Sequence, residues 1–303
     1  MSVVVALGPV DRPIVERHLG PDHILVSEPT TEDLTIAEAA IVRGNVTVDR
    51  AVFDSMPQLR VLARTGVGTE RVDLDVARER SISVVITPGS NTNAVAEGAL
   101  AMMLHLSKRL AELTGLVRDG RWSERDSVPL GDIDGSTVGI VGWGRIGQRL
   151  GAITTALGAT VRAFDPVAPI PAEIRCDSLV ELLAVSDFVS LHAPLVDSTR
   201  HMINDESLAH LKQGAILINC ARGPLIDLDA VHRSLVAGTL AGVGLDVFDE
   251  EPAAIHPIMR DPRVVLTPHV MGLTQTAAAQ TYADAADGIR AVLRGDTPAA
   301  TAF

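Results

Sequence analysis

The sequence predicts an α/β protein built from two doubly wound parallel sheets. Three observations carry that expectation. Short β-branched runs alternate with helical stretches along the chain, a glycine-rich turn follows one of those runs directly, and 47% of residues are hydrophobic against 21% charged. A parallel sheet buried on both faces needs near-continuous apolar strands, with helices returning the chain between them. A chain of 303 residues with mean hydropathy +0.25 has apolar surface for more than one core, which excludes disorder and fibrous repeats.

In order, the first runs are Val3–Leu7, His23–Val26, Ala40–Val42, Leu59–Leu62 and Val84–Ile86, enough for a small α/β domain. Residues 93–117 are rich in Ala, Leu and Met at helical spacing and predict one long helix. Met102 and Met103 on it read as packing residues, since methionine fills irregular gaps. A polar loop with Trp122 and Asp126 leads into a second series: Val138–Val141, Val161–Phe164, Phe188–Leu191, Ile216–Ile218, Val243–Leu245 and Val264–Leu266. Six such strands with helices between them fit a doubly wound dinucleotide-binding fold. An Ala-rich stretch from about Ala277 to Leu293 predicts a helix returning to the first domain. The expected division is therefore 1–94 with 277–303 as one domain and 95–276 as the other, with no solenoid repeat or low-complexity linker.

The charge balance, 26 basic against 38 acidic residues with a net charge of −12, offers no basic footprint for a phosphate backbone, so nucleic acid is not an expected partner. Cys176 and Cys220 form no CxxC or Cys/His cluster, and no metal is expected. The first residues carry no basic n-region, and no apolar stretch approaches the roughly 18 residues of a membrane span. The chain is expected to be cytoplasmic, without a membrane partner.

The strongest local motif is Gly142-Trp143-Gly144-Arg145-Ile146-Gly147, directly after a strand and opening a helix. The first glycine permits the tight turn, the second lets backbone approach a pyrophosphate, and the third lets helix pack on strand. The helix N-terminus adds N–H donors and positive dipole. Asp165 ends the next strand, 23 residues beyond Gly142, where a carboxylate can reach ribose hydroxyls and repel a 2′-phosphate. Pro166-Val167 supplies no arginine to hold such a phosphate, so NAD (NADH) is expected over NADP. Trp143 is expected to cover the back of the turn and carries no chemistry.

Three residues sit just past the ends of late strands, where open α/β sheets place ligands: Arg222, Glu251 and His269. Hydride transfer from an alcohol needs a base for the hydroxyl proton, and a histidine titrating near neutrality suits His269 to it. A carboxylate on the other imidazole nitrogen fixes the tautomer and keeps an imidazolium available for the reverse direction, which suits Glu251. A guanidinium clamps a carboxylate through two parallel hydrogen bonds, which suits Arg222. A single histidine or arginine in a strand-end loop is usually structural; the coincidence of all three turns the balance.

The chain resembles the D-isomer-specific 2-hydroxyacid dehydrogenase family over essentially its whole length. The matching stretches are Arg64-Thr65-Gly66-Val67-Gly68 with Val72-Asp73-Leu74, Asn93 to Glu97, Gly142 to Gly147, His192-Ala193-Pro194-Leu195 with Thr199, Asn219 to Gly223, Asp246 to Pro252, and Pro268-His269. The resemblance implies a flavodoxin-like substrate domain beside a Rossmann NAD-binding domain, with Arg222, Glu251 and His269 as the catalytic triad. It further implies that the backbone of Val67 and Gly68 helps bind the substrate carboxylate and that Asp246 contacts the nicotinamide carboxamide. Arg145, Ile146, Asp165, His192, Pro194, Thr199, Cys220, Ala221 and Gly272 would line the cofactor alongside the glycines. Family members are usually dimers that exchange the long-helix region, so a homodimer is expected. Cys220, two residues from Arg222, is expected to contribute backbone to the nicotinamide site while its thiol packs; an oxidation-sensitive thiol is the alternative.

For the substrate, the expectation is a small D-2-hydroxyacid or 2-ketoacid. The phosphoglycerate dehydrogenase branch is similar in Arg43, Arg64 and the Asn-Cys-Ala-Arg-Gly wording around Arg222, and two further guanidinia could hold a phosphate. Reductases of glyoxylate or hydroxypyruvate share much of this pattern. The chain's end at Phe303 leaves no room for a carboxyl-terminal regulatory domain, so serine feedback of that type is not expected. Met271 departs from the small-residue run common in phosphoglycerate enzymes and is expected to alter pocket shape. An NAD-sensing corepressor is disfavoured because no flexible tails are seen. A formate enzyme is disfavoured because those relatives carry Gln where Glu251 stands.

Overall fold

The β-branched runs form strands because their stiff side chains pack well on a pleated surface, and the eleven strands among the described residues lie in two wholly parallel sheets. The computed structural model describes residues 1–44 and 46–303. Contacts divide the chain into two compact units, Met1–Asn91 with Leu273–Phe303, and Thr92–Gly272.

The first unit holds β1 (Ser2–Leu7), β2 (His23–Val26), β3 (Ala37–Val42), β4 (Val61–Arg64) and β5 (Ser83–Val85) in the order β2-β1-β3-β4-β5. This is the flavodoxin-like order. Alternate strand residues fill two cores. Val4, Ile41 and Val61 pack with Val15, Leu19 and the C-terminal helix residues Tyr282, Ala286 and Ile289, while Val5, Val42 and Leu62 pack with Phe53, Met56 and Val76. The returning helix runs Gln275–Arg294, capped by the Thr274 side chain. The fourth strand starts later than the apolar run suggests. The Leu59 N–H bonds back to the Met56 carbonyl, so Leu59 closes a turn instead of joining the ladder.

The second unit holds β6 (Thr137–Val141), β7 (Thr160–Phe164), β8 (Phe188–Leu191), β9 (Ala215–Asn219), β10 (Leu240–Leu245) and β11 (Val264–Leu266). Their order is β11-β10-β9-β8-β6-β7, with the topological switch between β6 and β8. The inner strands β6, β8, β9 and β10 are nearly all buried, as apolar strands covered on both faces require, while the edge strands β7 and β11 keep partly exposed residues. Their last residues pair across the sheet in one row: Phe164, Val141, Leu191, Asn219, Leu245 and Leu266.

The single long helix expected over 93–117 is two helices, Thr92–Ser107 and Leu110–Arg118. Arg109 between them takes left-handed backbone (φ 47°), uncommon for a side chain of its size. The cause lies in what meets the first helix at its end. The Ser107 carbonyl accepts the Gly131 N–H at 2.8 Å, and Lys108 pairs with Asp132, so the helix is closed off by a returning segment. The two helices also differ in burial: Ala94, Ala96, Met102 and Met103 of the first are buried, whereas only Leu116 of the second is.

Candidate active site

Every strand of the row Phe164–Leu266 delivers a candidate residue within three positions of its end, so the second sheet gathers the site along one edge. Most helices here begin at a side-chain cap, for example Asp11, Asp49, Asp73, Ser178, Asp227 and Thr274. The helix Arg145–Ala156 begins at Gly144 with no side-chain cap. Its first N–H groups lack helical acceptors by geometry and are available to an anion.

The three glycines fulfil three different demands. Gly142 adopts φ +96°, and a Cβ there would fall 2.6 Å from the Ala193 nitrogen and the His192 carbonyl carbon, so the turn presses on the segment after β8. A Cβ on Gly144 would meet nothing within 4 Å, which leaves open space over the helix start. A Cβ on Gly147 would overlap the Gly142 carbonyl oxygen, so this position seats helix on turn. That open, donor-lined cradle fits a dinucleotide pyrophosphate. Trp143 folds back over the helix, its ring so close to Gly151 that a Cβ there would lie 2.8 Å from Cη2.

Asp165 accepts N–H bonds from Trp143 (2.8 Å), Val167 (2.8 Å) and Ala168 (2.9 Å). Burial pushes its carboxyl up, but the three N–H donors outweigh this and hold it below the usual carboxylate range. The charge is therefore fixed beside the glycine turn. Thr199, in the loop after β8, donates its hydroxyl to the Pro194 carbonyl at 2.7 Å and so shapes the Pro194 turn.

The acid/base candidates meet directly. His269 Nδ1 lies 2.8 Å from Glu251 Oε2; with an ionised carboxylate as acceptor, Nδ1 carries the proton and Nε2 is left to face a reactant. Glu251 is itself positioned by the Phe248 N–H on its other oxygen, at 3.2 Å. His269 has φ +54°, and the buried carboxylate of Asp246 holds the loop in that shape. Its oxygens accept the Thr267 hydroxyl (2.6 Å) and the N–H groups of Val270 (2.9 Å) and Met271 (3.1 Å). The Asp246 carbonyl takes the His269 N–H at 2.8 Å. Sequence reasoning gave Asp246 a cofactor contact and missed this latch.

Arg222 follows β9, one strand away. Its Nη1 donates to the Ala221 carbonyl at 2.7 Å, and the Asn219 side chain holds the turn by donating to the Arg222 carbonyl and accepting the Ala221 N–H. Gly223 abuts the Phe248–Asp249 backbone too closely for any side chain, which ties the arginine turn to the segment bearing Glu251. Met271 lies on Gly98 of the helix Thr92–Ser107. In the first unit, Arg64 donates to the carbonyls of Gly68 (3.3 Å), Val42 (3.5 Å) and Gly44 (3.1 Å), and the Arg43 guanidinium sits 5.1 Å over the Tyr282 ring. Val67 is exposed beside Gly68.

Cys220 is buried with Sγ 4.0 Å from Met102 Sδ. Burial, with Asp246 nearby, pushes its thiol up to about 12, and burial raises Cys176 as well despite the Arg162 guanidinium. A thiol so protonated is a poor nucleophile. Alkylation with iodoacetamide at pH 8 is expected to leave both thiols unmodified in the folded protein and to label both in guanidinium, read by mass spectrometry; fast labelling of Cys220 in the folded protein would restore the redox alternative.

His192 carries the largest shift among the imidazoles. Its Nε2 pairs with Ser190 Oγ at 2.9 Å, Nδ1 is buried without a partner among the described residues, and burial lowers its pKa to about 4. Between that value and the ordinary 6.5 the unfolded chain binds a proton that the folded one does not. Stability is therefore full above pH 6.5 and falls toward pH 4, by up to about 3 kcal/mol. His192→Gln is expected to flatten that part of the melting-temperature profile; an unchanged slope would place its origin elsewhere.

Residues 100–271 match the family model described as D-isomer specific 2-hydroxyacid dehydrogenase, NAD binding domain. The chain belongs to the D-isomer specific 2-hydroxyacid dehydrogenase family. Among its relatives, D-3-phosphoglycerate dehydrogenase of Mycobacterium leprae is 40% identical over 97% of this chain and 55% of that protein. The chain thus spans about half the length of the phosphoglycerate dehydrogenases it matches. Hydroxypyruvate reductase of Thermotoga maritima is 35% identical over 87% of this chain and 85% of its own. Of solved structures, D-lactate dehydrogenase from Aquifex aeolicus, complexed with NAD and lactic acid, superposes with TM-score 0.85 at 29% identity, covering 97% of this chain and 96% of that one. Among the described residues no helix is long and apolar enough to cross a membrane, and no group of three or more His, Cys, Asp or Glu could hold a metal ion.

Proposed function

We propose that this family member is an NAD-dependent oxidoreductase that moves a hydride between nicotinamide and C2 of a small D-2-hydroxyacid or 2-ketoacid. The observation that carries the reading is the 2.8 Å bond between His269 and Glu251, on the same sheet edge as the open cradle at Gly144. The cofactor, when bound, supplies or accepts the hydride. Gly142, Gly144, Arg145, Ile146 and Gly147 would hold its pyrophosphate and Asp165 its ribose. His192, Pro194, Thr199, Cys220, Ala221, Asp246 and Gly272 would line the cofactor, Cys220 and Asp246 at its nicotinamide.

In reduction His269 Nε2 gives a proton to the carbonyl oxygen, and in oxidation it takes the hydroxyl proton. Glu251 keeps the tautomer fixed and stabilises the imidazolium. Arg222 pairs with the substrate carboxylate through two N–H donors; in the first unit, the backbone of Val67 and Gly68 is the candidate for substrate binding. In this reading residues 1–94 with 277–303 bind substrate and 95–276 bind cofactor. The test is steady-state NADH oxidation with glyoxylate, hydroxypyruvate, phosphohydroxypyruvate, pyruvate and bulkier 2-ketoacids, repeated with NADPH. Turnover of one or more with NADH, and much less with NADPH, is expected; no turnover of any would overturn the reading.

A second reading, D-3-phosphoglycerate dehydrogenase, is favoured by the mycobacterial relative. The same panel separates the two: a preference for phosphohydroxypyruvate that Arg43→Ala abolishes would decide for it. Arg64→Ala is the less clean probe, because it also takes a donor from three backbone carbonyls. A homodimer is part of the proposal, supported by exposed Leu110, Val117, Trp122 and Leu130 in the segment after the first helix; light scattering at a monomer mass would refute it. A cytoplasmic setting accords with two buried free thiols.

A further inference from the structure

The loop that carries His269 is anchored on two sides, and the second anchor has no place in the chemistry described so far. Asp246 holds the backbone of Val270 and Met271 from the strand side. On the other side the Met271 side chain lies on the buried helix Thr92–Ser107 at Gly98, where a Cβ would fall 2.8 Å from both Cβ and Cγ of Met271 and nearer still to Sδ. The Cβ contact matters most. A methionine can swing its sulfur away, but the position of its Cβ is fixed by its own backbone, so any side chain at position 98 pushes the loop itself.

One turn along the same helix face, Met102 reaches Cys220 Sγ at 4.0 Å and lies against Gly244, where a Cβ would be 2.9 Å from its Sδ. The helix therefore backs the ends of β9 and β10 with Met102 and the His269 loop with the socket at Gly98. Glycine inside a buried helix gives up helix propensity, and the contact with Met271 is what that sacrifice makes room for.

We propose that Gly98 and Met271 form a socket and knob that set the reach of His269 toward the reacting oxygen, making Met271 a positioning residue for the proton transfer. The proposal rests on the acid/base role given to His269 above. A displacement of about 1 Å at a reacting group can cost up to about a hundredfold in rate, so a methyl-sized wedge suffices to test it.

The variants are Gly98→Ala, Met271→Gly, which removes the Cβ that meets position 98, and the two combined. Gly98→Ala is expected to lower kcat for 2-ketoacid reduction about tenfold while the Kd for NADH, from fluorescence quenching, stays within about twofold. Met271→Gly is expected to lower kcat several-fold by loosening the loop. The double variant should return to the level of Met271→Gly, because without a Cβ at position 271 the wedge has nothing to push. Wild-type kcat in Gly98→Ala, or a double variant as slow as Gly98→Ala, would overturn the proposal. Should Gly98→Ala fail to fold, the double variant is expected to fold and turn over, and its failure to fold would equally overturn the pairing.

A second readout separates this proposal from the function it rests on. Carbethoxylation of His269 by diethyl pyrocarbonate at fixed pH, followed by mass spectrometry, reports the imidazole's setting without any turnover. Its rate is expected to change in Gly98→Ala and to return in the double variant. Equal rates in all forms would refute the positioning role. Absence of turnover in the wild-type protein with this labelling pattern intact would refute the proposed function alone.

Discussion

His269→Asn is expected to lower kcat for 2-ketoacid reduction by about 10²–10⁴-fold, the range ascribed to a lost general acid/base, with little change in thermal stability. Asparagine is the replacement to choose because position 269 sits at φ +54°, a left-handed conformation that asparagine tolerates better than most residues. An alanine variant would mix the loss of the proton carrier with a loop strained in a new way. The side chain is 49% exposed, so its removal takes little packing from the core. Glu251→Gln should fall between the two. Its amide oxygen can still accept from His269 Nδ1, so the tautomer survives while the imidazolium loses its counter-charge, and a smaller loss in kcat than for His269→Asn is expected. Steady-state kinetics with NADH and the best ketoacid of the panel decide both. A His269→Asn enzyme within a few-fold of wild type would remove His269 from the chemistry and with it the role given to Glu251.

Much of this site is legible in the sequence because its demands are local. The turn at Gly142 needs a positive φ and the helix start at Gly144 needs open space, and each is written as a glycine at its own position. His269 and Glu251 could be paired because both follow strands that neighbour each other in any doubly wound order. Features that depend on distant partners were hidden. Asp246 reads as a strand-end acid, and nothing in the pattern tells that its carboxylate is taken up by the N–H groups of Val270 and Met271. Gly98 reads as a flaw in a helix until Met271 is seen against it. The break at Arg109 carries neither Gly nor Pro; it is imposed by Gly131 and Asp132 arriving at the helix end, which periodicity cannot register. Arg64 illustrates the opposite hazard: a guanidinium that sequence offers to a phosphate donates to three backbone carbonyls.

Asp246→Ala is the change expected to do most damage to fold and rate together. It leaves the Thr267 hydroxyl and the Val270 and Met271 N–H groups without an acceptor beside a residue that is 2% exposed, at about 1–3 kcal/mol for each donor that water cannot reach. A loss of about 3 kcal/mol in stability is therefore expected, together with a fall in kcat of about a hundredfold or more as the His269 loop leaves its fixed geometry. Asp246→Asn divides the latch. With the amide oxygen in the place of Oδ1, the bonds from Thr267 and Val270 survive, while the NH₂ group opposes the Met271 N–H. It should cost less stability than alanine and still slow the reaction. The decisive measurement is the melting temperature of cofactor-free protein. If Asp246 served only to contact the nicotinamide carboxamide, alanine would weaken NADH binding and leave the cofactor-free melt unchanged. If it is the latch that orders residues 267–271, the melt must fall before any cofactor is added.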